Sequence, residues 1–181
     1  RTATELDPAH LRAASELERV AAAHNQQQFN DAMSDGYTAL DESQFDSARR
    51  AFRKADNLQP GSTEAASAIQ EVAAAETAAK LGRLQRQGNN YENDEKWQEA
   101  VTAYTAALAI DGNILFAREG LARSEPRARL HKQFQAAIEE PNRLSDAAVA
   151  ETTGKLLQQA RKLSPKGPVL SQQLSQLDTL L

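Results

Sequence analysis

The feature that most constrains this chain is a helix-like spacing that occurs twice. Residues 45–60 read FDSARRAFRKADNLQP, and residues 97–112 read WQEAVTAYTAALAIDG. Each stretch has an aromatic residue, then alanine three positions on, a second aromatic four positions further and another alanine three beyond that. Because the stretches start 52 residues apart, at Phe45 and Trp97, they indicate an internal repeat built from helices.

The same register extends over most of the 181 residues. The matching positions are Ala13 with Ala65, Leu17 with Ile69 and Leu121, Val20 with Val72, Gly36 with Gly88, and Phe52 with Tyr104. We therefore interpret 1–181 as a single helical-repeat domain, with repeats at 9–60 and 61–112, a degenerate repeat at 113–165 and a C-terminal capping helix at 166–181. Residues 1–8 fit the tail of a preceding repeat, so we expect a fragment of a longer protein.

Each copy is predicted to hold a long first helix and a short second helix, which makes the fold class all-α. In the first copy, no proline interrupts the stretch between Pro8 and about Leu40, which has apolar residues at three- and four-residue spacings. The predicted stripe consists of Leu11, Ala14, Leu17, Ala21, Phe29, Met33 and Leu40. The predicted N-caps of the long helices are Asp7, Ser62, and either Asp111 or Asn113.

The third copy departs from this pattern. Pro126 falls inside its long helix, so we expect a break or kink near Glu125, with Ser124 capping the helix that follows. Pro141 is predicted to end that segment, and Ser145 to cap a helix that runs to about Leu163. The predicted closing helix carries one stripe, formed by Leu170, Leu174, Leu177 and Leu181.

Composition narrows the function classes. The net charge of -4 argues against nucleic-acid binding, and no apolar run is long enough to span a membrane, so we expect no membrane contact by this fragment. The chain has no cysteine, which excludes disulfides, thiolate catalysis and zinc–thiolate sites. A cysteine-free chain is compatible with the bacterial periplasm or the cytoplasm, so localisation stays open.

The repeated spacing resembles the tetratricopeptide repeat (TPR) family. The matching residues are Gly36, Phe45, Ala48, Phe52, Ala55 and Pro60 in one copy, and Gly88, Tyr91, Trp97, Ala100, Tyr104 and Ala107 in the next. The resemblance implies a right-handed solenoid of antiparallel helix pairs. The period of 52 exceeds the family's period of about 34 residues, so the helices are expected to be elongated.

The resemblance also implies a partner-binding surface on the exposed face of each first helix. In this sequence the candidates are Asn30, Met33, Tyr37, Gln85, Arg86, Asn89 and Glu92. Arg86 and Asn89 are loosely similar to the polar residues with which some family members hold a peptide carboxylate. Met33 and Tyr37 fit the core of the lengthened helix equally well, and that alternative stays open.

Other charged groups have simpler interpretations. Arg123, Arg127 and His131 would share one helix face if the helix continued past Pro126, and this basic patch is a second candidate, for an acidic partner. A solvated helix face is the favoured alternative. Glu92, Asp94, Glu95 and Glu99 are predicted to cap the helix that begins near Trp97. His10, His24 and His131 lack metal-ligand spacing, so surface positions are expected.

The sequence thus favours a non-catalytic scaffold that binds a protein or peptide partner, without a cofactor. The reasons are the repeat, the family resemblance and the lack of a catalytic motif. Two alternatives stay open: a structural spacer, and an accessory domain of a larger membrane-tethered or enzymatic protein. Oligomeric state is left undetermined.

Overall fold

The computed structural model describes residues 8–163 and 167–181, with side chains from Arg12 onward. Within these ranges the secondary structure is entirely helical, which confirms the all-α prediction. The α-helices are α1 Pro8–Asp41, α2 Phe45–Leu58, α3 Thr63–Asn93, α4 Trp97–Ile110, α5 Leu115–Glu139, α6 Ala147–Arg161 and α7 Pro168–Leu180. A 3-10 helix, Pro141–Ser145, lies between α5 and α6. The predicted Asp7 cap and the side chains of His10 and Leu11 lie outside the described residues.

The long–short alternation follows the sequence repeat. Helices α2 and α4 each have 14 residues, and both ends shift by 52, from Phe45 to Trp97 and from Leu58 to Ile110. The long helices before them have 34 and 31 residues. The third copy follows the same order with 25 residues in α5 and 15 in α6.

Contacts divide the chain into two compact units, residues 1–79 and residues 80–181. In the first unit α1 and α2 run antiparallel. Asn25 Nδ2 donates a 3.0 Å hydrogen bond to the Leu58 carbonyl at the end of α2, while Tyr37, further along α1, meets the Phe52 ring at 5.0 Å. Residues 63–79 of α3 complete this unit. Its buried core consists of Phe29, Ala32, Met33, Ala48, Phe52, Ala55, Ala65, Ala68 and Val72.

The N-terminal half of α1 lies outside that core. All side chains from Arg12 to Gln28 are exposed, with Leu17 at 71% and Val20 at 61%. The prediction of one packed stripe along α1 is therefore wrong for this half. The physical reason is length, because α2 is much shorter than α1 and its end already meets Asn25.

The second unit is organised around Tyr104, a fully buried residue of α4. Its ring lies against two glycines, one on α3 and one on α5. A Cβ added at Gly88 would come within 2.5 Å of the ring carbon Cζ, and one added at Gly120 would meet the same atom at 2.5 Å. Real Cβ contacts are longer than this, so only glycine permits the approach. Gly88, the repeat equivalent of Gly36, is thus the residue that lets α3 approach α4 closely.

The C-terminal part of the second unit has its own apolar cluster. Phe134 of α5 is fully buried among residues of α6 and α7. The α7 stripe is confirmed for Leu170, Leu174 and Leu177, which are buried, whereas Leu181 is exposed beyond the helix end.

Of the expected break or kink near Glu125, the break is wrong, because α5 is one helix with Pro126 in its interior; the kink stays a prediction. Proline has no N–H, so the Ala122 carbonyl loses its usual helical donor, yet packing on both sides holds the helix together. Ser124 does not cap a new helix either. It is fully buried, and its hydroxyl donates to Glu92 of α3.

The helix ends test the other predicted caps. The Ser62 hydroxyl accepts from the Ala65 amide, as predicted, and α5 ends before Pro141. Asp146 rather than Ser145 caps α6, because its carboxylate accepts from two amides of the first turn. The N-cap of α5 is Ile114, which makes no capping side-chain bond. The prediction of Asp111 or Asn113 at this position is therefore wrong.

In the described part of the chain, no helix combines the length and apolar character needed to cross a membrane.

Gly88→Ala is expected to destabilise the protein by about 1–3 kcal/mol, because the new methyl group overlaps the Tyr104 ring. Gly82→Ala on the same helix is the matched control. A Cβ there meets only the end of the flexible Arg86 side chain at 3.6 Å, so the change should stabilise α3 by up to about 1 kcal/mol. Urea unfolding followed by circular dichroism measures both. Equal stability of the two variants would contradict the close contact.

Candidate functional site

Polar residues of α3 take part in a hydrogen-bond network that joins α3, α4 and α5 in the second unit. Tyr104 of α4 donates from its hydroxyl to Asn89 Oδ1 at 3.0 Å. One turn further along α3, Glu92 accepts from Ser124 Oγ at 2.7 Å and from Arg123 Nη2 at 3.2 Å, both on α5. The network therefore brings together Asn89 and Glu92 of the first predicted surface with Arg123 of the predicted basic patch.

These bonds change how the candidate residues are interpreted. The Glu92 side chain is only 16% exposed, and its two oxygens are engaged by α5. Removing either donor would leave this largely covered carboxylate poorly compensated, so the two bonds constrain how α3 and α5 pack. Glu92 thus links α3 to α5. Asn89 is exposed on α3, as are Gln85 and Arg86, although its Oδ1 accepts from Tyr104.

The environment of Tyr104 also affects its ionisation. Burial, and next the negative charge of Glu92, raise the pKa of the Tyr104 hydroxyl above its ordinary value of 10.0, and the Arg123 charge offsets only part of this rise. Burial lowers the pKa of Arg123, but its hydrogen bond with Glu92 and the Glu92 charge outweigh that effect and raise it overall. At neutral pH, Tyr104 is therefore neutral and Arg123 is charged in the folded protein.

The candidates in the first unit divide differently. Met33 is 5% exposed and belongs to the core, so of its two alternatives the core position is confirmed and the partner-binding one is wrong. The reason is that Met33 lies on the face of α1 that packs against α2. Asn30 is exposed and accepts from Gln26 on its own helix. Tyr37 is 40% exposed and meets the Phe52 ring edge-on, so one part packs while the rest faces solvent.

Because α5 continues past Pro126, the predicted basic patch does share one helix face. Each of its members has an intramolecular contact. Arg123 bonds Glu92, the Arg127 guanidinium lies 5.1 Å from the centre of the Trp97 ring, and His131 Nδ1 is 3.2 Å from Gln173 Oε1 of α7. A cation over an aromatic face is an attractive arrangement.

Arg123 and Arg127 border a groove between α5 and α6 with a volume of about 410 Å³. Its described lining residues are Arg123, Pro126, Arg127, Arg129, Leu130, Gln133, Leu156, Gln159, Ala160 and Leu163. Three of these residues are arginines and none is acidic, while Leu130, Leu156 and Leu163 supply apolar surface. The groove combines positive charge with an apolar lining, and its volume suits a few side chains of a ligand.

The acidic residues near the α3–α4 turn do not cap α4, whose N-cap Lys96 makes no capping side-chain bond. That prediction is wrong for α4, but Glu95 caps another helix. Its carboxylate accepts from the backbone amides of Val169 at 2.7 Å and Leu170 at 3.0 Å, at the start of α7. Gly167 makes the approach possible, because a Cβ there would overlap the Glu95 carboxylate.

Sequence reasoning missed both the Glu95 cap and the α6 wall of the groove. A capping pair separated by 74 residues leaves no local spacing signal. The α6 side of the groove was indicated only weakly in the sequence, by the leucines of the degenerate third copy. The only sequence sign of the cap was Gly167–Pro168, because a glycine before the first turn of α7 leaves room for another group to approach.

Comparisons with protein-family models, with curated proteins and with solved structures find no match for this chain.

The repeat offers a matched pair of variants for testing the Glu95 cap. Ser43 and Glu95 occupy the same position in the α1–α2 and α3–α4 turns, with φ of 59° and 56°. Ser43→Gly should stabilise by about 0.5–1 kcal/mol, because glycine adopts this conformation without strain. Glu95→Gly relieves the same strain but removes the α7 cap, so we expect a net loss of about 1 kcal/mol.

Thermal unfolding and amide exchange of residues 169–177 measure the two effects. Only Glu95→Gly should speed exchange in α7. If both variants were equally stabilised, the Glu95 carboxylate would contribute nothing to α7.

The raised pKa of Tyr104 predicts a loss of stability at alkaline pH. The folded state favours the protonated hydroxyl, so its contribution is fully present below pH of about 10 and is lost as pH rises through the folded pKa. Tyr104→Phe should cost about 1 kcal/mol at pH 7, from the lost bond to Asn89, but should lack this alkaline loss. The difference in unfolding free energy between wild type and variant, measured from pH 7 to 11, should therefore shrink. A constant difference would contradict the pKa shift.

Proposed function

We propose that this chain is a non-catalytic helical-repeat scaffold that holds an acidic segment of a partner protein in the groove between α5 and α6. The observation that supports it best is the lining of the groove. Arg123, Arg127 and Arg129 lie beside apolar surface, and none of the described lining residues is acidic, although Glu92 of α3 partly offsets the Arg123 charge. Arginine suits this role because its guanidinium bonds a carboxylate through two N–H groups.

The expected ligand follows from these dimensions. A groove of about 410 Å³ takes a few side chains, so the partner contributes a short peptide segment rather than a folded face. Leucine surface favours an apolar residue in the segment, and the arginines favour Asp or Glu on either side of it. Helix-in-groove binding uses this combination of apolar anchors and charged flanks.

We also propose that the helix pairs are stacked as in a TPR-like right-handed solenoid with elongated first helices. The support is the repeated long–short order and the recurrence of a glycine opposite an aromatic ring. Gly36 faces Phe52 as Gly88 faces Tyr104, and both pairs fit the positions of the TPR-like spacing. A scaffold of this kind needs shape and a few charged anchors rather than convergent titratable groups.

A direct test uses fluorescein-labelled 12-residue peptides of Glu and Leu, with Lys and Leu peptides of the same pattern for comparison. We expect saturable binding of the acidic peptides alone, measured by anisotropy, and weaker binding at higher salt. Trp97 is the only tryptophan, and Arg127 lies over its ring, so unlabelled peptide should also shift its emission.

Variants of one helix separate the groove from general charge. Arg129→Glu should weaken binding by roughly tenfold, because it replaces an attraction with a repulsion. Arg118→Glu makes the same charge change on the same helix at an exposed position outside the described lining, and it should alter the affinity much less. Equal loss in both variants, or no saturable binding at all, would contradict the proposal; the second result would favour the spacer alternative.

A further inference from the structure

The most exposed apolar side chains in the described part of the chain include two on one face of α1. Leu17 and Val20 lie three residues apart, and both are largely exposed. Single exposed leucines are common on protein surfaces. Two branched aliphatic side chains on one face of a helix, however, present an apolar surface that another helix can cover. The internal repeat shows what covers that surface in the other copies.

In the second copy, the equivalent positions are Ile69 and Val72 of α3. Val72 is fully buried, and Ile69 packs against the same core. Ala65 and Ala68, on the same face, are also buried. This core contains Phe52 and Ala55 of α2, the short helix that comes directly before α3 in the chain.

The third copy repeats the arrangement within the second unit. The equivalents of Ala65, Ile69 and Val72 are Ala117, Leu121 and Ser124 of α5. Ala117 and Ser124 are fully buried, and Leu121 packs against the core around Tyr104 of α4. Thus in two copies out of three, this face of a long helix packs against the short helix that precedes it.

We infer that the exposed face of α1 around Leu17 and Val20 takes the short helix of a further copy of the repeat, placed before α1 in the same polypeptide as α2 is placed before α3. The inference rests on the matching of residues between copies and is independent of the α5–α6 groove. The occupant is a helix of about four turns with small residues alternating with aromatic ones on its inner face.

Glu16 changes which side chain the covering helix can place opposite α1. Glu16 stands where the later copies have Ala68 and Gly120. Gly120 lies under the Tyr104 ring, and a Cβ there would already be too close. Glu16 therefore leaves less room for a ring than the other copies do, and a smaller or basic side chain is expected opposite it. Its ion pair with Arg19, on the same helix, keeps the charge exposed at present.

A graft tests the inference with a helix of known sequence. Residues 44–62, which hold α2 and the turn after it, are copied in front of Leu11 in place of residues 1–10, so that the graft leads into α1 as α2 leads into α3. Amide exchange of residues 13–24 is compared with and without the graft. We expect at least roughly tenfold slower exchange with it, because a tethered helix that covers two aliphatic side chains should stabilise by more than the ~1.4 kcal/mol that this factor requires.

Three variants make the test specific. The double variant Leu17→Asp with Val20→Asp should abolish the protection in the grafted chain. In the ungrafted chain it should leave the melting temperature nearly unchanged, whereas Ile69→Asp should lower that melting temperature. Glu16→Ala should increase the protection given by the graft. A graft that gives no protection, with or without Glu16→Ala, would overturn the inference.

Light scattering of the ungrafted chain identifies the competing occupant. Monomers are expected across the concentration range. A dimer that dissociates on Leu17→Asp with Val20→Asp would overturn the inference, because a second copy would then cover this face.

Discussion

The contact on which the second unit depends is the approach of one aromatic ring to two glycines. Tyr104 occupies a space that a side chain at Gly88 or Gly120 would fill, so α3 and α5 both lie directly against the ring. Close packing of this kind gains dispersion energy from many short contacts and leaves no room for sliding. The same kind of close contact joins α1 and α2 in the first unit, where the Phe52 ring lies against Gly36.

The position of the Tyr104 ring determines the polar network beside it. With the ring fixed, its hydroxyl reaches Asn89, and Glu92 one turn away is in range of Arg123 and Ser124. These bonds explain why Ser124 remains helical and why α5 continues across Pro126. A residue that disfavours a helix is tolerated where contacts from neighbouring helices exceed its local cost.

Much of the helix pattern follows from the sequence, because it depends on local spacing. The starts of α2 and α4 and the leucine stripe of α7 are set by residues a few positions apart. Pro126 and Glu95 were misjudged, and Met33 was left undecided, because their roles depend on residues distant in the chain. Periodicity identifies the apolar face of α1, but it does not show how far along that face a partner helix extends. For the groove, the sequence indicated the cluster of arginines but not the α6 leucines that face it.

The cap that Glu95 supplies to α7 has a consequence for the order in which the chain acquires structure. The bond joins residues 75 positions apart, whereas α1 and α2 meet across a turn of three residues. Contacts that close long loops cost more chain entropy and form later than those between neighbouring helices. On a ribosome, α1 and α2 can therefore pair as they emerge, whereas the Glu95 carboxylate has no α7 amides to accept from until α7 has been made. Within residues 80–181, the Glu95 cap can therefore form only after the other described helices of this unit are already available.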